Sequence, residues 1–302
     1  MMEQVRLINT DLTVSRIGMG STNFGAPVLP QSQVEDHIDA FLDLGGNLID
    51  TAHVYSDWIP GETSRSEKAI GRWIARHKRS SVVLCTKGGH PDLADWSVSR
   101  VTPDALRTDL RESLDYLQTD YVDIYMLHRD NPALCVDVIM DCLAGFVAEG
   151  RVKYLACSNW TVERHRQANE YAAAHGMPGF VVNELMWSMA KPNAAALPSD
   201  YVLMDEDMLE FGKNEKISFF CFSSLAKGYF THRYQGLAVH DENVYTNAEN
   251  EALMADLGKL PSAAAVTQAC LRFFVRPDVT AVPLVSFSNM NQLMECCGAF
   301  II

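Results

Sequence analysis

Short apolar runs alternate with amphipathic stretches along most of the chain. Each run is about as long as a β-strand, and most lack the strict alternation of apolar and polar residues that a half-exposed strand shows. Parallel strands that are buried on both faces have this pattern. The eight runs cover residues 16–19, 47–50, 82–86, 122–127, 152–157, 180–183, 217–222 and 279–283.

The stretches between the runs have helical spacing, and several open on an N-cap residue. Thr102 precedes Pro103, and Thr161 and Ser262 each stand just before a helical stretch. Eight strand–helix pairs predict a single (β/α)8 TIM barrel over residues 1–302, and a doubly wound sheet is the alternative architecture. The helical stretches lie near residues 32–44, 66–77, 103–117, 133–149, 161–175, 203–214, 262–275 and 289–298.

The ends and the longest connections add detail to this barrel. Residues 5–15 alternate apolar and polar positions and predict a short N-terminal β-hairpin that plugs the bottom of the barrel. Two connections, residues 188–200 and 229–248, are long for a compact domain, and long loops are often functional. The eighth helix ends near residue 302, so the C-terminal tail is predicted to be short.

Composition and charge narrow the class of partner. The chain has 48% apolar and 21% charged residues, which are ordinary globular values. Its 25 Lys and Arg face 38 Asp and Glu, giving a net charge of -13. Bulk charge of this sign does not attract nucleic acid or an anionic membrane, so neither is expected as a partner. A small molecule is expected instead, and any phosphate it carries must be held by local groups.

The chain shows no targeting or membrane-spanning pattern. Its first residues lack the apolar run of a signal peptide. No pair of its eight cysteines is spaced as C-x-x-C, so reduced thiols and a cytoplasmic location are predicted, with no metal site. The oligomeric state is not indicated.

Ionisable residues stand at the ends of three consecutive predicted strands. Strand two ends in Asp50, strand three in Lys87 and strand four in His128. The carboxyl ends of barrel strands meet at one mouth, so these side chains should converge there, with Tyr55 just above them. Each residue also has an ordinary interpretation as a helix cap, a solvated lysine, a buried histidine or a packing tyrosine. It is improbable that all four residues fall at or just after consecutive strand ends by coincidence. The ordinary interpretations are therefore the weaker ones.

Five segments place this pattern in a known family. They are residues 47–55 (NLIDTAHVY), Gly61 with Ser66 and Glu67, Thr86-Lys87, residues 120–128 (DYVDIYMLH), and residues 150–154 (GRVKY) with Ser158-Asn159. In this order they resemble the signatures of aldo-keto reductases, and the similarity extends over residues 12–299. The resemblance implies a barrel enzyme that reduces small aldehydes, ketones or sugars with NADP or NAD, or oxidises the corresponding alcohols.

The four residue types make sense for carbonyl reduction. Hydride must come from a nicotinamide, because no side chain delivers one. Tyr55 is assigned as the general acid and His128 as the donor that orients the carbonyl. An unperturbed tyrosine has a pKa near 10, and Lys87 is expected to lower the pKa of Tyr55 toward working pH. Asp50 is expected to hold Lys87 charged and in place.

The resemblance also assigns the nicotinamide end of the cofactor site. Gly20 lies in a loop expected beside the nicotinamide, although residues 18–25 lack the third glycine of a dinucleotide fingerprint. Ser158 and Asn159 match the positions that hold the carboxamide. Glu184 stands where the family usually has glutamine. A carboxylate there accepts hydrogen bonds but no longer donates them.

The phosphate and adenosine ends of the cofactor site follow in two later segments. After strand seven, the family places an aromatic ring on the nicotinamide and a loop around the pyrophosphate. In the last loop, Ser286 replaces a glycine and Ser288 replaces a cation, which weakens the expected preference for NADPH and admits NADH. The assigned residues are Phe222, Ser223, Leu225, Lys227, Ser286, Ser288 and Gln292.

The substrate pocket can only be outlined from position along the chain. Trp58, Trp96 and Trp187 lie in or near the predicted mouth loops and are expected to line an aromatic pocket. Two other classes of function remain open. One is a lyase that forms a Schiff base through Lys87, and the other is a nucleotide-binding regulatory protein with little turnover.

Overall fold

A computed structural model describes all residues, 1–302. Eight parallel strands form a closed barrel in which each strand pairs with its neighbour in the chain and the last closes on the first. The predicted TIM barrel is therefore confirmed. The strands are β3 (Gly18–Gly20), β4 (Leu48–Asp50), β5 (Val83–Gly88), β6 (Val122–Leu127), β7 (Val152–Ser158), β8 (Phe180–Met186), β9 (Ser218–Phe222) and β10 (Ala281–Val285).

The predicted N-terminal hairpin is also confirmed. Strands β1 (Gln4–Arg6) and β2 (Thr13–Ser15) pair antiparallel. Leu7, Leu12 and Val14 pack into the same buried cluster as the inward-facing side chains of the barrel strands. The hairpin thus closes the bottom of the barrel, leaving the opposite mouth for chemistry.

Helices cover the outside of the barrel, and several begin at the predicted caps. The hydroxyl of Thr102 accepts from the backbone N–H of Ala105, and Ser262 caps its helix in the same way. The helices are α1 (Gln31–Asp43), α2 (Arg65–Ile74), α3 (Pro103–Leu117), α4 (Val136–Ala148), α5 (Val162–Ala174), α6 (Glu206–Glu215), α7 (Tyr229–Tyr234), α8 (Glu242–Tyr245), α9 (Ala248–Leu257), α10 (Ala263–Arg272) and α11 (Met290–Cys297).

The second long connection, residues 229–248, contains helices that the sequence pattern did not predict. It contains the short helices α7 and α8, and α9 follows directly. Helix α9 escaped the sequence pattern because its apolar and acidic residues alternate without a continuous apolar face, and only Asn250 and Leu257 are buried. None of the helices is both long and apolar enough to span a membrane.

One close helix contact constrains the side of the barrel that carries the predicted site. Gly71 in α2 packs against the backbone carbonyl of Tyr116 in α3, so closely that a Cβ atom at residue 71 would lie 1.9 Å from that oxygen. Glycine is therefore required by proximity here. The contrasting case is Gly145 in α4, where a Cβ would meet nothing within 4 Å.

Candidate active site

Three of the predicted residues form one buried cluster at the carboxyl ends of β4 and β5. The ammonium of Lys87 donates to both carboxylate oxygens of Asp50 at 2.6 Å. It also donates to the phenol oxygen of Tyr55 at 3.1 Å and to the Thr51 carbonyl at 3.2 Å. Lys87 is fully buried, so its charge is balanced within the cluster and not by water.

His128, at the end of β6, completes the cluster on the cavity side. Its ring lies edge-on to the ring of Tyr55, with centroids 5.7 Å apart. Burial, followed by the nearby charge of Arg129, holds the pKa of His128 well below its ordinary value. The imidazole is therefore neutral. Its Nδ1 is buried without a hydrogen-bond partner. A buried N–H without an acceptor would cost more free energy at Nδ1 than a buried lone pair without a donor. We therefore place the proton on Nε2.

The pKa of Tyr55 departs from the sequence-based expectation. Lys87 does lower it, but burial outweighs that effect, and the carboxylates of Asp50 and Glu184 act in the same direction as burial. The pKa of Tyr55 is therefore raised above its ordinary value. The phenol keeps its proton at neutral pH, which suits a proton donor, whereas the expected shift toward working pH is wrong for this arrangement of charges.

Glu184 in β8 is the second carboxyl against Lys87. Its Oε2 lies 3.4 Å from the Lys87 nitrogen without forming a hydrogen bond, and the side chain is almost fully buried. Burial, with the charge of Asp50 next, raises the pKa of Glu184 to about 8, against the opposing effect of Lys87. The position was predicted to meet the cofactor carboxamide. Its contact with the lysine was not predicted.

A cavity of about 790 Å³ opens in front of this cluster. Tyr55 and His128 line it, whereas Asp50 and Lys87 lie behind them and do not reach its surface. The predicted cofactor residues that line it are Ser158, Asn159, Glu184, Phe222, Ser223, Leu225, Lys227, Ser286, Ser288 and Gln292.

Gly20 does not line the cavity. Its neighbours Thr22 and Asn23 do. A Cβ at residue 20 would lie 3.0 Å from the hydroxyl of Ser286, so the glycine makes room for the last loop.

The residues expected around the nicotinamide are held by β7 and β8. The hydroxyl of Ser158 donates to the backbone carbonyl of Glu184 at 3.1 Å, and the side-chain amide of Asn159 donates to Ser158. The ring of Phe222 stands edge-on to Tyr201 at 5.5 Å between centroids. One amide, one hydroxyl, one carboxyl and one aromatic ring therefore face the same part of the cavity.

The loop after β9 adopts left-handed backbone at non-glycine residues. Ser223, Ala226 and Lys227 have φ of 51°, 49° and 53°, and Asn159 across the cavity has φ of 58°. Each such residue costs about 1 kcal/mol relative to ordinary backbone. Strain of this kind tends to collect at ligand-binding sites, so its position against the cavity supports a binding role for the loop.

The part of the cavity that was assigned to the pyrophosphate and the adenosine differs in charge from the prediction. The ammonium of Lys227 forms an ion pair with Asp241, so the cation expected for phosphate already has a partner. At Ser288, the backbone N–H donates to Gln292 Oε1 at 2.8 Å. The imidazoles of His232 and His240 line the cavity nearby and were not predicted. The long connection that carries them was the signal that could have found them.

Two further residues at the mouth were missed. Arg129, next in the chain to His128, forms an ion pair with Asp200 at 2.8 Å. His90 stacks edge-on with His128, with ring centroids 4.8 Å apart. Adjacency to the predicted strand-end residues was the only available signal for either.

The three predicted substrate-binding tryptophans have different positions. Trp96 is half exposed and packs edge-on against His90 at 4.8 Å between ring centroids, which connects it to the mouth. Trp58 is also half exposed, in the connection that follows Tyr55. Trp187 is not at the mouth. Its ring is buried against Phe273 and Phe274, outside the cavity, so its assignment to the substrate pocket is wrong.

The fold and the site together define a class: a TIM barrel with a buried Asp-Lys-Tyr cluster and a histidine at the cavity mouth. Comparison with known proteins narrows it. The model of the aldo/keto reductase family matches residues 16–302, so this chain belongs to the aldo/keto reductase family.

Three relatives illustrate the similarity. Norsolorinic acid reductase B of Aspergillus parasiticus is 33% identical over 51% of this chain and 41% of its own length. Aldo-keto reductase YhdN of Bacillus subtilis is 26% identical over 76% of this chain and 64% of its own. Aryl-alcohol dehydrogenase [NADP(+)] of Phanerodontia chrysosporium is 33% identical over 50% of this chain and 40% of its own. The chain thus spans about half the length of the curated relatives it matches.

Proposed function

We propose that this chain, as one barrel domain, is an NAD(P)H-dependent oxidoreductase that reduces the carbonyl of small aldehydes, ketones or sugars, or oxidises the corresponding alcohols. One observation carries the proposal. Tyr55 lines the cavity, and its hydroxyl lies 3.1 Å from the Lys87 ammonium, which two short hydrogen bonds fix to Asp50. A protonated phenol beside a fixed cation is a proton donor whose conjugate base is stabilised when it forms.

The groups around the cavity fit a nicotinamide dinucleotide. Glu184 Oε2 is a buried oxygen without a hydrogen-bond partner, and it is an acceptor for a carboxamide N–H. Ser158 and Asn159 supply further polar contacts, and the Phe222 ring supplies a stacking surface. Ser223, Leu225 and Lys227 would hold the pyrophosphate, with Ser286, Ser288 and Gln292 nearer the adenosine. When bound there, a reduced nicotinamide would supply the hydride.

The protein side chains would then orient and protonate the carbonyl oxygen. His128 donates from Nε2 to this oxygen and orients it. Tyr55 transfers its phenol proton to the same oxygen, and the ammonium of Lys87 stabilises the tyrosinate as it forms. Asp50 keeps Lys87 charged and aimed at the phenol oxygen.

The charges around Ser288 and Lys227 support only a weak preference for NADPH over NADH. Ser288 offers no cation to a ribose 2′-phosphate, and Lys227 is already paired with Asp241. Use of NADH alongside NADPH is therefore proposed, although one relative is named for NADP(+). The names of two relatives, aryl-alcohol dehydrogenases, favour aryl carbonyls among the possible substrates, and the half-exposed rings of Trp58 and Trp96 are candidates to contact them.

The Schiff-base alternative has less support. A lysine must lose its proton to attack a carbonyl. Burial lowers the pKa of Lys87, but Asp50 and Glu184 together raise it well above its ordinary value. The group is therefore an ammonium ion with its hydrogen atoms engaged, which is a poor nucleophile.

The test is to follow oxidation of NADH and NADPH separately with a panel of aryl aldehydes, alkyl aldehydes, ketones and sugars. Tyr55→Phe is the matched control, because it removes the phenol oxygen and keeps the ring. We expect it to lower carbonyl reduction by about 100-fold or more, while cofactor affinity changes little. Full activity in Tyr55→Phe would contradict the acid role. Tight nucleotide binding with no turnover across the panel would favour the regulatory alternative.

A further inference from the structure

Glu184 carries an unused polar atom at the centre of the cluster. Its Oε2 is buried without a hydrogen-bond partner and lies 3.4 Å from the Lys87 nitrogen, which in turn lies 3.1 Å from the Tyr55 oxygen. Asp50 is placed differently, because both of its oxygens already accept from Lys87. Of the two carboxyls, Glu184 is the one free to exchange a proton.

The proton that Tyr55 donates must be replaced in every turnover. Lys87, its neighbour, is fully buried and has no direct contact with water. Glu184 touches Lys87 on one side and lines the cavity on the other. The contacts therefore form a continuous route from Glu184 through Lys87 to Tyr55.

We propose that Glu184 is the proton reservoir of the reaction, and that its carboxyl gives up its proton when the cavity holds the oxidised nicotinamide. This inference rests on the proposed function. It assigns Glu184 a role beyond accepting a hydrogen bond from the carboxamide.

Atoms and charges balance in the direction of carbonyl reduction. The hydride supplied by the cofactor forms a C–H bond at the carbonyl carbon, and the C=O π pair moves to the oxygen, which takes the proton of Tyr55. Lys87 passes a proton from Nζ to the tyrosinate, and Glu184 passes its proton to Nζ. The products are the alcohol, unchanged Tyr55 and Lys87, a carboxylate at residue 184 and a cationic nicotinamide ring. Alcohol oxidation runs the same transfers in reverse.

The electrostatic surroundings agree with this assignment. The pKa of Glu184, raised to about 8 by burial and then by Asp50, keeps the free carboxyl protonated at neutral pH. A positive ring in the same cavity stabilises the carboxylate and lowers that pKa. Because the carboxyls interact, the proton is shared within the group, and the weaker bonding of Glu184 favours it there. The charged and titratable groups that face it are Asp50, Tyr55, Cys85, Lys87, Arg129 and Cys221.

The decisive measurement is proton release on binding of oxidised nucleotide, without any substrate. The whole protein is titrated with NAD+ and, separately, NADP+ in weak buffer at about pH 7 with a pH indicator. We expect release of most of one proton for each nucleotide bound, because burial and Asp50 raise the pKa of Glu184 to about 8 and keep the free carboxyl mostly protonated there. NADH and NADPH, whose rings are neutral, should release almost none.

Two variants separate Glu184 from other buried acids. Glu184→Gln keeps the shape and removes the titration, so its release should fall close to zero. Glu67→Gln is the matched control, since Glu67 is a fully buried carboxyl whose pKa burial raises to about 7, yet it does not line the cavity. It should release as many protons as the unmodified protein.

The unmodified protein gives a second readout that needs no variant. Only the ionised carboxyl favours the cationic ring. As pH rises toward about 8, the Kd for oxidised nucleotide should therefore fall about tenfold per pH unit, and above about pH 8 it should level off. The Kd for reduced nucleotide should show no such dependence.

The outcomes distinguish the two proposals. Equal proton release from Glu184→Gln and the unmodified protein would assign the proton to another group and overturn the reservoir. Binding of oxidised nucleotide by tryptophan quenching, but without proton release, would also overturn it and leave the proposed function standing. Failure of all four nucleotides to bind would overturn both.

Discussion

The buried carboxyl of Glu184 should make the stability of the protein fall with pH in a measurable window. Its pKa is about 8 in the folded state and 4.5 as the reference for an exposed glutamate. The folded state therefore holds its proton over a range in which the unfolded chain has lost it. The contribution to stability is fully present below about pH 4.5 and is lost as pH rises through about 8. Glu184→Gln removes this titration.

The magnitude follows from the width of the window. One pKa unit corresponds to about 1.4 kcal/mol, so the whole window corresponds to a loss on the order of 5 kcal/mol for this fully buried group. The free energy of unfolding of Glu184→Gln, relative to the unmodified protein, should therefore rise by about 1.4 kcal/mol per pH unit between about pH 5 and 8 and then level off.

Urea unfolding at a series of pH values measures this difference directly. Glu170→Gln, which makes the same substitution at an exposed position of helix α5, is the control. A flat difference for Glu184→Gln would mean that the carboxyl is ionised in the folded protein. A difference that falls as pH rises through about 4 would mean that Lys87 stabilises the carboxylate more than burial destabilises it. Either result would refute the protonated Glu184 on which the reasoning depends.

Three further predictions concern the cofactor, the substrate and the fold. Ser288→Arg should improve the affinity for NADPH relative to NADH by about tenfold or more, measured by fluorescence titration, and an unchanged ratio would mean that residue 288 does not face the 2′-phosphate. His128→Ala should lower kcat/KM for carbonyl reduction by about 100-fold, and His128→Gln, which keeps an N–H donor, by less; equal losses would argue against donation to the carbonyl. Gly71→Ala should destabilise the protein by about 2 kcal/mol or more in urea unfolding, because its Cβ meets the Tyr116 carbonyl, whereas Gly145→Ala should be neutral or slightly stabilising. Similar values for the two glycines would contradict the close contact.

Strand ends could be predicted from the sequence because they depend on local pattern. The apolar runs that end in Asp50, Lys87 and His128 belong to adjacent strands of the barrel, and adjacent strand ends must meet. The contact between Lys87 and Glu184 is of another kind. It joins β5 to β8, which do not pair, so it depends on how far each side chain reaches across the barrel mouth.

Other residues were misjudged because their partners lie far away in the chain. Trp187 follows a strand end, as a mouth residue would, but its ring turns outward onto Phe273 and Phe274. Lys227 was expected to be available to bind phosphate, but its ammonium forms an ion pair with Asp241. Position along a strand predicts depth in the barrel, whereas the direction and pairing of a side chain depend on packing.

The uneven burial of the five tryptophans has a spectroscopic consequence. Trp73, Trp160 and Trp187 are buried, whereas Trp58 and Trp96 are half exposed, Trp96 beside His90. Emission from the exposed pair should lie at longer wavelength and be quenched by acrylamide, while the buried three are protected. The protein therefore carries its own optical probe: shielding of the rim by a bound molecule should be visible in its intrinsic fluorescence, with no label attached.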